Sequence, residues 1–281
     1  MRIALKIAYD GRAFYGHQRQ PDRWTVEGEC LAALRSAKIL RDPRESFFRS
    51  ASRTDRGVSA IGNVIAFDTA FRPEAVVGAF NHRARGVWAW AVAVVPDTFH
   101  PRHALERWYR YHLFSDASLP PLRRAAGLFV GEHDFRSFTS DPAKGPITVD
   151  RIDVTREGRG IVIDIRAQSF RRAMVRRIVA AAVACAEGEF EEAEIRTALR
   201  GSRRDFGIVR PEPLFLMDVR YRFPMDVVLK PKVRDDWRSK EDETELRLRF
   251  LRALFDAVRG ATEKPGRLPA DGSLSAAPDS M

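Results

Sequence analysis

The chain has little of what metal or cofactor chemistry usually needs. Its 281 residues include only two cysteines and six histidines. Cys30 and Cys185 each fall on the apolar face of a predicted helix, where a free cysteine behaves as a small hydrophobe. No Cys or His spacing matches a metal site. His100-Pro101-Arg102-His103 lacks a partner set and carries a proline at its centre. There is no P-loop, no dinucleotide glycine fingerprint and no serine in a nucleophile elbow. No apolar run is long enough to cross a bilayer. The first residues, Met1 to Lys6, alternate as a strand and do not read as a signal peptide. The expectation is a soluble cytoplasmic protein. Any chemistry would rest on carboxylate, tyrosine and arginine side chains, with no metal and no cofactor.

Positive charge is abundant. Lys and Arg number 48 against 38 Asp and Glu, a net charge of +10. Such a balance suits a polyanionic partner. Arginine supplies most of it, and its planar fork recognises phosphate and stacks on bases. Hydrophobic residues make up 44% of the chain, enough for a packed core.

Patterning places the elements. Ile3, Leu5 and Ile7 alternate as a first strand. Thr25 can cap a helix whose apolar face is Val26, Cys30, Ala33, Leu34 and Ala37. A strand near residues 46–50 leads into a loop, then a strand over 64–67, a helix opened by Pro73, and a long apolar strand over 87–95. After Pro96 and Pro101 the order repeats. A strand over 107–114 and a helix over 122–129 precede a hairpin of 152–155 and 161–166 around Glu157-Gly158-Arg159-Gly160. A helix face marked by Phe170, Met174, Ile178, Ala181 and Cys185 follows, then a helix over 191–199 and a closing strand over 217–223. Each half reads as a βαββαβ unit. The expected fold class is α+β: two ferredoxin-like halves, 1–100 and 101–224, forming a mostly antiparallel sheet with helices on one side and a catalytic cleft between them. Residues 225–281 read as a tail. Its i,i+4 pairs Glu243/Arg247 and Glu245/Arg249, with a stripe of Leu246, Phe250, Leu251, Leu254, Phe255 and Val258, predict an amphipathic helix over about 239–259. From Gly260 onward Pro, Gly, Ser and Ala predict disorder.

Five segments carry possible chemistry. Ser52-Arg53-Thr54-Asp55-Arg56-Gly57-Val58-Ser59 sets one carboxylate between two arginines in a glycine turn. The arginines would hold Asp55 ionised as a nucleophile or base, although ion pairs on a surface turn look the same. Tyr9 to Gln20, with Gly11, Gly16, Arg12 and Arg19, suits RNA backbone contacts. In Trp108-Tyr109-Arg110-Tyr111 the tyrosines share one face of a strand, where a ring could stack on a flipped base or simply fill the core. Arg171, Arg172, Arg176 and Arg177 bracket an apolar helix face, Arg172 and Arg176 being i,i+4 neighbours; this is either a solvated basic face or a helix gripping phosphates with one arginine turned inward to a carboxylate. Pro211-Glu212-Pro213-Leu214-Phe215-Leu216 leads an extended chain into the last strand, where Leu214 and Phe215 could wall a pocket or simply fill the core.

Together and in this order, these segments resemble the tRNA pseudouridine synthase A family over about residues 1–224. Tyr9-Asp10-Gly11, Tyr15-Gly16 and Gln18-Arg19-Gln20 are similar to its opening motif. Arg53-Thr54-Asp55-Arg56-Gly57-Val58-Ser59-Ala60 is similar to its catalytic motif, with Arg56 and Ser59 in the form of its archaeal or eukaryotic branch. Tyr109-Arg110-Tyr111, Met174-Val175-Arg176 and Leu214-Phe215-Leu216 match three further motifs. His17 stands where the family usually has an aromatic residue, and Ala173 where it usually has a polar one. The resemblance implies an isomerase that converts uridine to pseudouridine at positions 38–40 of the tRNA anticodon arm without a cofactor. It implies a homodimer with tRNA as partner, no membrane and no other protein. Asp55 would break the glycosidic bond, Arg176 would pair with it, Tyr109 would stack on the flipped uracil, Leu214 would wall the base, and Arg53 would hold phosphate or the place the base left. Arg12, Arg19, Arg171 and Arg172 would meet the RNA backbone. Two rivals compete: a non-catalytic RNA-binding protein, for which a carboxylate among arginines has no use, and a carboxylate-dependent nuclease, for which Asp55 has no acidic neighbours in sequence.

Overall fold

Eleven strands and six α-helices form over the residues that the computed structural model describes, 1–141 and 145–262. In the first half, β1 (Arg2–Tyr9), α1 (Val26–Ser36), β2 (Arg49–Ser50), β3 (Ser59–Asp68), α2 (Pro73–Arg83) and β4 (Val87–Val95) follow one another. Thr25 accepts the Gly28 N–H at the start of α1, and Pro73 opens α2, as their sequences direct. The second half comprises β5 (Glu106–Leu113), α3 (Leu119–Gly127), β6 (Gly131–His133), β7 (Ile147–Val149), β8 (Arg151–Glu157), β9 (Gly160–Ala167), α4 (Met174–Ala186), α5 (Glu192–Leu199) and β10 (Leu214–Arg220). The short β11 (Asp226–Val227) returns to pair with β4. The helix α6 spans Pro231–Thr262.

One nine-stranded sheet contains all strands but β6 and β7, which pair with each other. Its order is β11-β4-β1-β3-β10-β5-β9-β8, with β2 also on β3. Within it the run β4-β1-β3-β2 has the same relation to chain order as β10-β5-β9-β8, so the βαββαβ pattern occurs twice. Pairing is antiparallel except where β10 lies parallel to β3 and joins the halves. Alternation along β5 puts Arg107, Tyr109 and Tyr111 on the buried face and leaves Trp108, Arg110 and His112 partly exposed. The largest fully buried side chains include Phe14, Phe67, Phe80, Phe129, Phe135 and Phe138. Burying one such ring stabilises the fold by about 1.5–3 kcal/mol.

Three elements differ from expectation. The closing strand begins at Leu214, three residues early, because Leu214 and Leu216 pair with Tyr111 and Tyr109 as soon as the prolines end. The third helix starts at Leu119, with prolines accommodated in its first turn. Most consequential, α4 begins at Met174. Ala173 has φ of +60°, so Phe170 to Ala173 form a turn before the helix, and Arg172 and Arg176 are not helical neighbours.

Residues 1–230 form one compact unit, and a second begins at Pro231. The helix in that second unit starts earlier than the expected 239. Its Glu245–Arg249 pair closes at 2.9 Å, whereas no Glu243–Arg247 pair forms. Leu246, Phe250, Leu251, Leu254 and Phe255 are exposed. The helix continues to Thr262, and the rest of the segment expected to be disordered lies outside the described residues. None of the described helices is long and apolar enough to cross a membrane.

Candidate active site

The Asp55 loop exists because two strands share one edge of β3. β2 occupies the far end, with Arg49 opposite Ala66 and Ser50 opposite Ile65. β10 occupies the near end, with Phe215 and Leu216 beside Ser59 and Ala60. The chain between, Ala51 to Val58, has no sheet position left and leaves the plane at the seam of the two halves. Its backbone groups find other partners, as buried polar groups must. Ala51 N–H donates to Val64 O at 2.8 Å. The fully buried Asn63 accepts from Ser52 N–H and donates to Ser52 O at 3.0 Å. The Tyr9 hydroxyl meets Thr54 Oγ1 at 2.9 Å and accepts from Asn63 Nδ2 at 3.2 Å. Thr54 O takes the His17 N–H at 3.0 Å. A turn closes the loop, with Val58 N–H on Asp55 O at 3.2 Å and Gly57 at φ +88°.

The turn presents Asp55 to Arg176, an expected pairing that spans both halves. Arg176 Nη1 lies 3.2 Å from Asp55 Oδ2, and its Nε donates to Val209 O at 2.8 Å. The second bond fixes the guanidinium, so the carboxylate meets a pre-positioned cation. Asp55 retains 28% of its side-chain exposure, so it is paired yet still open to a ligand.

Tyr109, on β5, is buried, with its ring edge-on to Phe170 at 5.3 Å. Burial, with a further push from the charge of Asp55, raises its phenol to about 12, against the opposing pull of Arg107 and a hydrogen bond with Ser52. Tyr109 therefore carries its proton at neutral pH. Leu214 is buried opposite Tyr111. Just before it, Pro211 packs so close to Gly57 that a Cβ there would sit 3.0 Å from the proline ring.

The remaining expected cations lie further out. Arg53 is exposed and makes no ion pair among the described residues. Arg12 is exposed and pairs with Asp10 at 2.5 Å, and Arg19 lies 3.8 Å from Glu27. Arg171 donates to Gly145 O at 2.7 Å, and Arg172 is exposed in the turn before α4. Arg56 lies over the Tyr15 ring at 4.4 Å, as does Arg23 at 4.6 Å.

Sequence reasoning gave no supporting role to Ser52, Asn63, His17 or Arg107, although Ser52 stood in the Asp55 segment and His17 among the departures from the family motif. His17 is 1% exposed, and neither ring nitrogen has a hydrogen-bond partner. Burial, with the nearby charge of Arg53, lowers its pKa to about 4. Asn63 sits mid-strand between apolar residues, and Arg107 two residues before Tyr109 on the same face. Those positions were the available signals, since a polar residue at a core-facing site needs partners. Among the described residues no group of three or more His, Cys, Asp or Glu gathers as a metal site would require.

A sheet seam presenting a paired but accessible carboxylate beside a buried, protonated tyrosine suits base chemistry on a nucleic acid. Comparison with known proteins gives that class a definite form. A family model described as tRNA pseudouridine synthase matches residues 125–222. The tRNA pseudouridine synthase A of Thermococcus sibiricus is 42% identical over 85% of this chain and 93% of its own length. The proteins of the same name from Thermococcus onnurineus and Pyrococcus horikoshii are 44% and 38% identical, over 79% and 89% of this chain and 85% and 98% of theirs. A solved Cbf5-Nop10-Gar1 complex aligns at 13% identity with a TM-score of 0.33, over 63% of this chain and 44% of its own, too loosely to carry an argument. The chain belongs to the tRNA pseudouridine synthase A family and is an isomerase of that kind.

Proposed function

We propose that this enzyme converts uridine to pseudouridine at positions 38–40 of the tRNA anticodon arm, with Asp55 as the group that opens the glycosidic bond. The observation that carries the reading is the Asp55–Arg176 pair, partly buried, with the carboxylate the more exposed partner. An ionised carboxylate held by a fixed guanidinium is ready to act as nucleophile or base without first shedding a full hydration shell. The uracil must leave the sugar, rotate and rejoin through carbon, which requires no redox change. Tyr109 supports the reading as a protonated ring beside the carboxylate, able to contact the flipped base and to donate a proton but not to accept one. Leu214 bounds the base pocket. Arg53, without an ion pair among the described residues, takes phosphate or the position vacated by the base. Arg12, Arg19, Arg171 and Arg172 supply backbone contacts, those of Arg12 and Arg19 in competition with Asp10 and Glu27. The enzyme works in the cytoplasm as a homodimer with tRNA as its partner.

Asp55→Asn tests the reading. Tritium release from tRNA labelled at uridine C5 should fall by roughly a thousandfold or more, while tRNA affinity stays within about threefold. Normal turnover by that variant would remove Asp55 from the chemistry. Carbodiimide mapping of tRNA reacted with the wild-type enzyme checks the positions, and product outside 38–40 would redirect the site preference.

A further inference from the structure

Arg107 is a buried cation with no counter-ion among the described residues. It is 7% exposed, on β5 between Ala167 of β9 and Val219 of β10. Arg2, also buried, pairs with Asp68 at 2.7 Å, and the partly exposed Arg110 on the same strand pairs with Asp164 at 2.9 Å. Arg107 forms no ion pair with any described residue. Burial pushes its pKa down, and the charge of Arg102 nearby pushes the same way. Desolvating a lone charge is unfavourable, so its retention calls for a compensating set of hydrogen bonds.

That set is specific. Nε donates to Ser52 Oγ at 3.0 Å. Nη2 donates to Ala51 O at 3.1 Å and to Arg102 O at 3.0 Å, and Nη1 to Gln168 O. Ala51 and Ser52 are the root of the Asp55 loop. Gln168 directly follows β9 and precedes Phe170, the turn of Arg171 and Arg172, and α4 with Arg176. Arg102 belongs to the segment that leads into β5. Tyr109 is two residues along the same strand on the same face. One guanidinium therefore ties the root of the Asp55 loop to the segment before β5 and to the connection after β9 that runs on to Phe170 and Arg176, while its own strand carries Tyr109.

We propose that Arg107 is a positioning residue that clamps the root of the Asp55 loop to the strand of Tyr109 and to the segment leading to Arg176, and so sets the spacing of the reacting groups. This rests on the reading of Asp55 given above. The fork matters more than the charge, because three segments meet it along different directions. A lysine ammonium could supply the charge but not reach all four acceptors from one position.

The test uses the full chain with Arg107→Met, Arg107→Lys and Ser52→Ala. For Arg107→Met, kcat should fall roughly a hundredfold with KM for tRNA within about twofold, as expected when reacting groups are misplaced while binding is intact. Arg107→Lys should recover only part of the loss, to roughly tenfold below wild type, because charge returns without the fork. Amide hydrogen exchange should rise in residues 51–58 and 168–171 and stay unchanged in β1. If Arg107→Met does not fold, Ser52→Ala, which removes one acceptor and leaves the cation in place, gives the same readouts with a smaller loss of kcat. Wild-type kcat in folded Arg107→Lys, or exchange that rises evenly throughout the sheet, would overturn the clamp. Exchange is read without reference to the reaction, so normal turnover by Asp55→Asn would sink the catalytic reading while the localised exchange still decides whether Arg107 holds these segments together.

Discussion

The imidazole of His17 is a titrating group held in the interior. Its ring is buried against Tyr9 at 6.3 Å between centroids, and both nitrogens lack partners. With its pKa lowered to about 4 from an ordinary 6.5, the native state binds a proton less readily than the unfolded chain. Stability linked to His17 is therefore complete above about pH 6.5 and is lost as pH falls toward 4. The full difference amounts to about 3 kcal/mol. His17→Phe, which fills the site without a titrating group, should flatten the stability profile between pH 4 and 6.5 and hold or raise stability at pH 7. Urea unfolding at pH 7 and pH 5 measures this. A wild-type slope that survives in the variant would place the acid sensitivity elsewhere. At this scale sequence reading reached Asp55 and Arg176 and their pairing but not His17, whose role depends on which backbone closes over it.

At the scale of elements, the site depends on a loop pressed against its buttress. A Cβ on Gly11 would lie 2.1 Å from Val58 O, and one on Gly16 would lie 3.3 Å from Arg56 N. Gly11 N–H also donates to Ser59 Oγ at 3.0 Å. The glycines of the N-terminal segment thus allow two backbones to meet, a use quite different from the RNA contact suggested by its aromatics and arginines. Gly11→Ala should displace the turn of residues 55–58, cost about 3 kcal/mol and cut turnover by more than about tenfold. Denaturant unfolding and tritium release check it, and a neutral effect on both would show that the backbones can separate freely. The start of α4 teaches a related lesson. Phe170, Met174 and Ile178 keep helical spacing, yet Phe170 precedes the helix and reaches Tyr109. A 3.6-residue period reads alike whether its first member lies on the helix or folds back beside it.

At the scale of the molecule, every residue of the candidate site lies within 1–230, which has its own core. A chain ended at Lys230 should therefore unfold cooperatively and retain turnover on tRNA within about threefold, as calorimetry and tritium release would record. Loss of folding in that truncation would make the second unit part of the core's stability. Sequence alone was enough for the local terms: which segments are strands and helices, where caps and turns fall, and the basic composition, because periodicity, capping and side-chain chemistry act over a few residues. Asp55, Tyr109, Arg176 and Leu214 were singled out together only through the resemblance of their motifs to the family. Only the tertiary structure decided that β10 takes the edge β2 leaves on β3, that the displaced loop lies at the seam, and that Arg107 holds it there. Those outcomes depend on partners up to 150 or so residues apart in sequence, and no local pattern specifies which of several competing edges or backbone carbonyls will be near when the sheet closes.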